Sequence, residues 1–408
     1  MKILWVKAGG LVPPDTGGKI RSYNILRELA RTHAITFFSF YAAHQPDIHD
    51  ELRAVFRELI CLPLVLPRPR GAREMLQYSA SVFSRQPYNI TKYCRREVSD
   101  RLRKLLRTNH YDVIVCDFLV AAGVVPWDHP VPKVLFTHNV ETTIWRRHFE
   151  VATNPLWKVV SWLEWKKMDA AEHRYLRLAD HVLTVSETDA EAFARFLPRD
   201  KLTVVPTGVD LDYFRPAPGK EDADSIVFTG SMDWMPNQDG ITFFAESVFP
   251  LVLQKRPGAR LCVVGRNPSR RMQEMAQRLH GIQLTGWVED VRPFLERGSV
   301  CVVPLRIGGG TRLKIFEAMA MAKAVVSTTI GAEGLPVRHG ENILLGDTPE
   351  DFAGHVLALL RNAERRLHIG QAAHKLVADS YSWHGVAEGF SRTLESVVKA
   401  HSIRRPIC

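Results

Sequence analysis

Residues 304–323 read PLRIGGGTRLKIFEAMAMAK, and their types suit the binding of an anion. Gly308, Gly309 and Gly310 stand between an apolar run and a helical pattern, directly before Thr311, a residue type favoured at helix N-caps. Glycine in regular structure costs roughly 0.5–1 kcal/mol relative to Ala, so three in a row imply a demanding turn or a close ligand approach. Free backbone N–H groups at a helix mouth, together with the positive end of the helix dipole, receive phosphate-like groups. Arg312 and Lys314 put two cations in the first turn, against the dipole, an arrangement that a bound anion relieves. Glu317 follows three residues after Lys314 and is flanked by Ile315, Phe316, Ala318 and Met319. A partly buried carboxylate there needs donors, either Lys314 at i,i+3 or the hydroxyls of a ribose. The pattern is not a P-loop, because no Gly-Lys-Ser/Thr triplet follows the glycines.

Such groups need elements that deliver loops to one place. Apolar runs at 2–8, 34–42, 112–118, 133–139, 181–186 and 202–208 read as strands, as do 225–231, 260–266, 282–288, 300–305 and 324–329. Their near-continuous apolar content, alternating with helical patterns, predicts parallel sheets covered on both faces. Two such series in tandem predict two Rossmann-like domains. The Pro- and charge-rich segment 215–225 is the best linker candidate. Ligands of open parallel sheets bind beyond the carboxyl ends of the strands. The loops to watch are therefore 8–22, 137–141, 229–237, 265–270, 286–290 and the 304–323 stretch.

The bulk properties narrow the class. At 408 residues, two domains of ordinary size are expected. A net charge of +10 favours anionic partners such as nucleotides, nucleic acid or an acidic membrane surface. No basic-aromatic module pattern supports nucleic acid. The six cysteines show no CxxC pair or zinc-type spacing, and Cys116, Cys262 and Cys301 lie in apolar runs that predict buried free thiols. The N-terminal apolar run is too short for a signal peptide, and no run reaches the roughly 20 residues of a membrane-spanning helix. The expectation is a cytoplasmic chain, peripheral on the inner face of the membrane. Residues 68–107 carry many cations and only three acidic residues, Glu74, Glu97 and Asp100. That stretch suits an anionic membrane or acceptor surface. The stretch 154–178 combines three tryptophans with cations and reads equally well as an interfacial helix or as a core-facing helix with a solvated basic face.

The segment GGGTRLKIFEAMAMAKAVVSTTIGAEGL (308–335) resembles the nucleotide-sugar site of the family 4 (group 1) glycosyltransferases. The resemblance continues through GGKIRSYNILRELA (17–30), ADHVLTVSETD (179–189), VVPTGVDLDYFRP (204–216), VFTGSMDWMPNQDGITFF (227–244) and YSW (381–383). It implies the α/β GT-B fold, two Rossmann-like domains with parallel sheets facing an interdomain cleft. Residues 1–207 would be the acceptor-binding domain, with the helix 383–408 packing back on it, and 208–382 the nucleotide-sugar domain. Glu317 would hold the donor ribose, and the backbone at Gly309, Gly310 and Thr311 would receive the diphosphate. Arg312 and Lys314 would be its cationic partners. His138 matches a family histidine near the donor sugar and the reacting centre. Gly17 and Gly18 match the loop approaching the donor phosphates, Gly230 the first donor-domain loop, and Gly265, Arg266, Trp287 and Val288 the frame of the base pocket.

Two departures stand out. Many family members carry a second glutamate eight positions before Glu317, where this chain has Gly309, and an Arg and a Lys where it has Ser231 and Pro236. The charge would then be supplied by Arg312 and Lys314. The implied function is a retaining, metal-independent, hexosyltransferase-type glycosyltransferase with no cofactor besides its nucleotide-diphosphate sugar. Its acceptor would be a glycan, a polysaccharide precursor or a lipid-linked sugar. A catalytically altered nucleotide-sugar-binding protein and a nucleotide-sugar epimerase are the alternatives. A dinucleotide oxidoreductase is disfavoured, because no G-x-G-x-x-G follows the first strand.

Overall fold

The computed structural model of the chain describes residues 1–14, 16–43, 50–67, 72–152, 154–216, 221–307 and 313–404. Two compact units result, one of Met1–Pro206 joined by the chain from His384 onward, the other of Thr207–Trp383. The segment 215–225 is therefore not the boundary. Its described part is tied into the second unit: Lys323 and Arg366 pair with Glu221, and the Asp222 amide bonds the Arg297 carbonyl. Charge and proline content marked a surface segment, and these long-range pairs hold it to the second unit.

The first unit contains a seven-stranded sheet, β1 (Lys2–Ala8), β2 (Ala34–Ala42), β3 (Glu58–Leu64), β4 (Val113–Asp117), β5 (Lys133–Phe136), β6 (His181–Thr184) and β7 (Leu202–Val204). All neighbours are parallel, in the order β3-β2-β1-β4-β5-β6-β7. β1 and β4 are buried along nearly their whole length, because crossover helices cover both faces of the sheet. One face packs Leu4, Val6, Phe38, Ile114 and Leu135 into the main core. On the other, Trp5 and Phe136 receive Phe390 from the terminal helix Trp383–Arg404, at ring separations of 5.4 and 5.2 Å.

The second unit holds six parallel strands, β8 (Ser225–Thr229), β9 (Arg260–Val264), β10 (Ile282–Gly286), β11 (Val300–Val303), β12 (Val325–Ser327) and β13 (Leu344–Leu345), in the order β10-β9-β8-β11-β12-β13. Its core gathers Ile226, Phe228, Phe244, Phe249, Val302 and Phe352. Both sheets reverse strand order once, between β1 and β4 and between β8 and β11, and those carboxyl ends are where such sheets bind ligands. The patterns missed β3 and β13. β3 is an edge strand interrupted by Pro63, which donates no ladder bond, and β13 is two residues long. Cys116 and Cys301 are buried as expected, whereas Cys262 is half-buried.

Candidate functional site

In the second unit, three glycines line up at the carboxyl ends of adjacent strands. The Gly230 amide donates to the Val264 carbonyl, and Gly265 bridges Gly286. A Cβ added to Gly265 would lie 1.9 Å from the Gly230 carbonyl oxygen, so only glycine lets the β8 and β9 loops approach this closely. Gly230 itself has φ +151, and its missing Cβ leaves room for the Lys314 ammonium and the Asn237 amide, which a side chain would meet at 2.6 and 2.8 Å.

Lys314 sits in the helix Leu313–Ala320, which leaves β11 on the other side of the strand reversal. Its Nζ donates to Asn237 Oδ1 at 2.7 Å and lies 4.1 Å from the centre of the Phe228 ring. Asn237 is buried, and its Nδ2 donates to the Ser231 carbonyl at 2.7 Å, so the amide fixes both the loop and the cation. Lys314 is thus aimed at the loop that follows β8. Sequence reading missed Asn237, whose only signal was its place at the mouth of the helix Met235–Phe243.

Glu317 is half-buried among Ile315, Phe316, Ala318 and Met319, and its carboxylate has no hydrogen-bond partner among the described residues. Burial pushes its pKa up to about 7, with Lys314 pulling the other way. Arg266 turns to the neighbouring loop, where Nε donates to Asp233 Oδ2 at 3.0 Å and to Ser231 Oγ at 3.2 Å. Trp287 is exposed and Val288 half-buried, directly after Gly286. Gly309, Gly310, Thr311 and Arg312 lie outside the described residues.

The first unit carries a buried polar network at the β1/β4 reversal. Lys7 and Asp117 are register partners at the ends of β1 and β4, and their side chains pair at 2.9 Å. Asp117 Oδ2 also accepts from Trp5 Nε1 at 3.0 Å, and Oδ1 from His138 Nε2 at 2.8 Å. Arg21 Nη1 lies 2.7 Å from His138 Nδ1. A guanidinium can only donate, so Nδ1 accepts and Nε2 carries the proton. Burial drives the His138 pKa down to about 3, although Asp117 opposes this, and the ring is neutral throughout the working range. The Lys7 ammonium and His138 hold the Asp117 carboxylate ionised, well below the usual carboxylate range, against the cost of burying it. Both nitrogens of His138 are engaged, and its ring stacks flat on Phe118 at 3.7 Å. No ring nitrogen is left to exchange a proton with a substrate.

Gly17 and Gly18 open the helix Gly17–Leu29, and a Cβ on Gly18 would lie 2.4 Å from Phe118 Cζ. Gly18 therefore seats this helix mouth beside the His138–Phe118 stack. Lys7, Arg21, Asp117 and Phe118 escaped sequence reading. A Lys and an Asp within apolar strands were the available signal, but their pairing depends on strand order.

Residues 16–213 match the family described as Glycosyltransferase Family 4, and residues 223–362 match Glycosyl transferases group 1. The chain belongs to the family 4, group 1 glycosyltransferases. This glycosyltransferase is 22% identical over 396 residues to an uncharacterized 44.6 kDa protein in the cps region of Klebsiella pneumoniae, covering 93% of this chain and 96% of that one. It is 27% identical over 209 residues to the phosphatidyl-myo-inositol mannosyltransferase of Mycobacterium tuberculosis, where the match spans 47% of this chain and 53% of the relative. Among solved structures, the sucrose-phosphate synthase of Thermosynechococcus elongatus superposes with a TM-score of 0.72 at 15% identity, covering 98% and 99% of the two chains. Anabaena HepE in complex with UDP and glucose gives 0.67 at 14%, covering 97% and 100%. These likenesses establish the GT-B fold.

Proposed function

We propose that this glycosyltransferase moves a sugar from a nucleotide-diphosphate sugar to a glycan, polysaccharide-precursor or lipid-linked acceptor, with retention of configuration and without a metal. The observation that carries the donor reading is the pair Lys314 and Glu317 on one short helix. The cation is directed at Gly230, and the carboxylate has no hydrogen-bond partner among the described residues, a place that ribose hydroxyls would fill. HepE, with UDP and glucose bound on the same fold, is consistent with this.

On this reading Lys314 stabilises the departing diphosphate as the anomeric carbon gains positive charge. Removing one such donor costs roughly 10²–10³ in rate. The acceptor hydroxyl attacks from the face the diphosphate leaves, and a diphosphate oxygen takes its proton, so no protein nucleophile is required. A neutral His138 with both nitrogens engaged fits that economy, since no ring nitrogen is left to act as a base. The helix Arg96–Thr108 buries Val98, Leu102, Leu105 and Leu106 and exposes Arg96, Arg101, Arg103, Lys104 and Arg107. That face supports an anionic acceptor or membrane surface for 68–107, of which 68–71 lie outside the described residues. No described helix is long and apolar enough to cross a membrane, and a cytoplasmic location, peripheral at the inner membrane face, belongs to this reading.

Thermal-shift measurements with UDP-, GDP- and ADP-linked sugars test the donor, and product analysis with and without acceptor tests the transfer. One nucleotide class raises the melting temperature on this reading, whereas no shift with any of them would sink it. Gly309, in the place of a family glutamate, favours a second reading, a nucleotide-sugar-binding protein. Donor binding without transfer or hydrolysis would select it.

A further inference from the structure

The helix Pro155–Leu178 carries an exposed apolar stripe in its first half, beside the face it buries. Ser161, Glu164, Met168, Ala171 and Tyr175 mark the side turned to the core. Leu156, Val159, Val160 and Leu163, spaced i, i+3, i+4, i+7, form a stripe about a quarter turn from the buried face, and it extends into surface where a helix places polar residues. Leu156 is 79% exposed and Val159 58%, while Val160 and Leu163 are half-exposed. Trp157 and Trp162 flank the stripe, each exposed by more than two fifths. Lys167 Nζ donates to the Ser81 carbonyl at 2.8 Å, which brings Val82 and Phe83 beside the same helix, and Phe83 is 93% exposed. Single exposed apolar residues are ordinary, but a contiguous stripe marks an interaction surface.

The charge around the stripe is one-sided. Residues 146–167 contain five cations, Arg146, Arg147, Lys158, Lys166 and Lys167, against Glu150 and Glu164. Glu164 is buried and pairs with the largely buried Lys167 at 3.0 Å, and Glu150 faces Arg146 at 3.5 Å, while Arg147, Lys158 and Lys166 are exposed. Lys158 and Lys166 lie over the rings of Phe149 and Trp165, at 5.5 and 4.5 Å. Aliphatic anchors, tryptophans at the margin and a fringe of Lys and Arg together suit the headgroup layer of an anionic bilayer, where the cations reach phosphates while their stems cover apolar surface. A second copy of this chain fits poorly, because it would bring like charges together and protein interface cores are depleted of lysine.

We propose that the side of the helix Pro155–Leu178 bearing Leu156, Val159 and Leu163, with Phe83 at its end, docks into an anionic lipid surface. The inference extends the membrane part of the proposed function to a second surface and is independent of the donor reading.

Flotation of the full chain with vesicles of phosphatidylcholine, alone and mixed with phosphatidylglycerol, tests it. The chain binds the phosphatidylglycerol vesicles, more weakly at high salt. Leu156→Glu combined with Val159→Glu lowers vesicle affinity about tenfold or more, the scale of losing a buried aliphatic anchor. Circular dichroism and melting temperature stay unchanged, because both residues face solvent. Absence of binding to anionic vesicles overturns the proposal. So does full binding by this variant together with loss in Arg101→Glu/Lys104→Glu, which places the surface on the helix Arg96–Thr108. A wild-type dimer that the variant abolishes, without vesicle binding, makes a second copy the occupant and also overturns it. The nucleotide-sugar thermal shift, the same in wild type and variant, separates this result from the donor reading.

Discussion

Glu317 is costly to the free chain and useful to the bound one. Burial lifts its pKa from an ordinary carboxylate value to about 7. The native state therefore binds more protons than the unfolded one as pH rises from about 4.5 to 7, and stability falls over that window. Glu317→Gln removes this penalty, so the variant should melt higher than wild type at pH 8 and no higher at pH 5. It should also bind the donor about tenfold or more weakly, because charge-assisted bonds to the ribose are worth roughly 1.5–3 kcal/mol. Calorimetric melting and donor titration at both pH values check this, and equal melting at pH 8 would remove the burial argument. This residue was legible in the sequence because its apolar flanks announced partial burial. Lys314 was legible as a cation but not in its direction, since Asn237 lies 77 positions away and their bond exists only after β8 and β11 pair. His138 was named from the sequence, but Lys7 and Asp117, which complete its network, were harder still, for that network joins three strand ends in the first unit.

The elements act through how closely their ends approach. Gly230, Gly265 and Gly286 allow three parallel strands to bring their following loops within backbone contact. Gly265→Ala should cost about 1–3 kcal/mol or more, because the new methyl must displace the Gly230 carbonyl and not a pliable side chain. It should weaken donor binding as well, since Gly230 also bounds the space of Lys314. Urea unfolding and donor titration measure the two effects, and a variant as stable as wild type would refute the close-approach account. Strand positions came readily from apolar runs, and most observed strands stop earlier than those runs. The residues beyond belong to the loops that follow the strands, as Pro304 and Leu305 do after β11. The helix Glu141–Val151 shows a different device: the buried Glu172 carboxylate accepts from its first amides, Glu141 at 2.8 Å and Thr142 at 3.4 Å. Burial pushes both Glu141 and Glu172 up to about 7. Nothing local to 139–143 points to a cap supplied 31 residues away.

At the scale of the molecule, the chain end completes the first unit. Phe390 packs on Trp5 and Phe136, so a residue near the C-terminus belongs to the core begun by the first strand. Phe390→Ala should cost about 3–5 kcal/mol, the range for a fully buried aromatic, with the loss in the first unit's unfolding. Hydrogen exchange on β1 and β5 should report it, and unaltered protection there would show that the terminal helix is dispensable. The amino-acid sequence by itself determined the two series of buried parallel strands, the glycine-rich loops at their ends, and the cations and carboxylate of 312–317. Those properties follow from composition and spacing over a few turns of chain. Only the tertiary structure decided that Lys314 is aimed at Gly230, that burial keeps His138 neutral while Asp117 and Arg21 occupy both its nitrogens, and that the 155–163 stripe faces solvent. Each of these depends on which distant segments become neighbours, and strand order and helix orientation, which set that, are encoded in the whole core and in no local pattern.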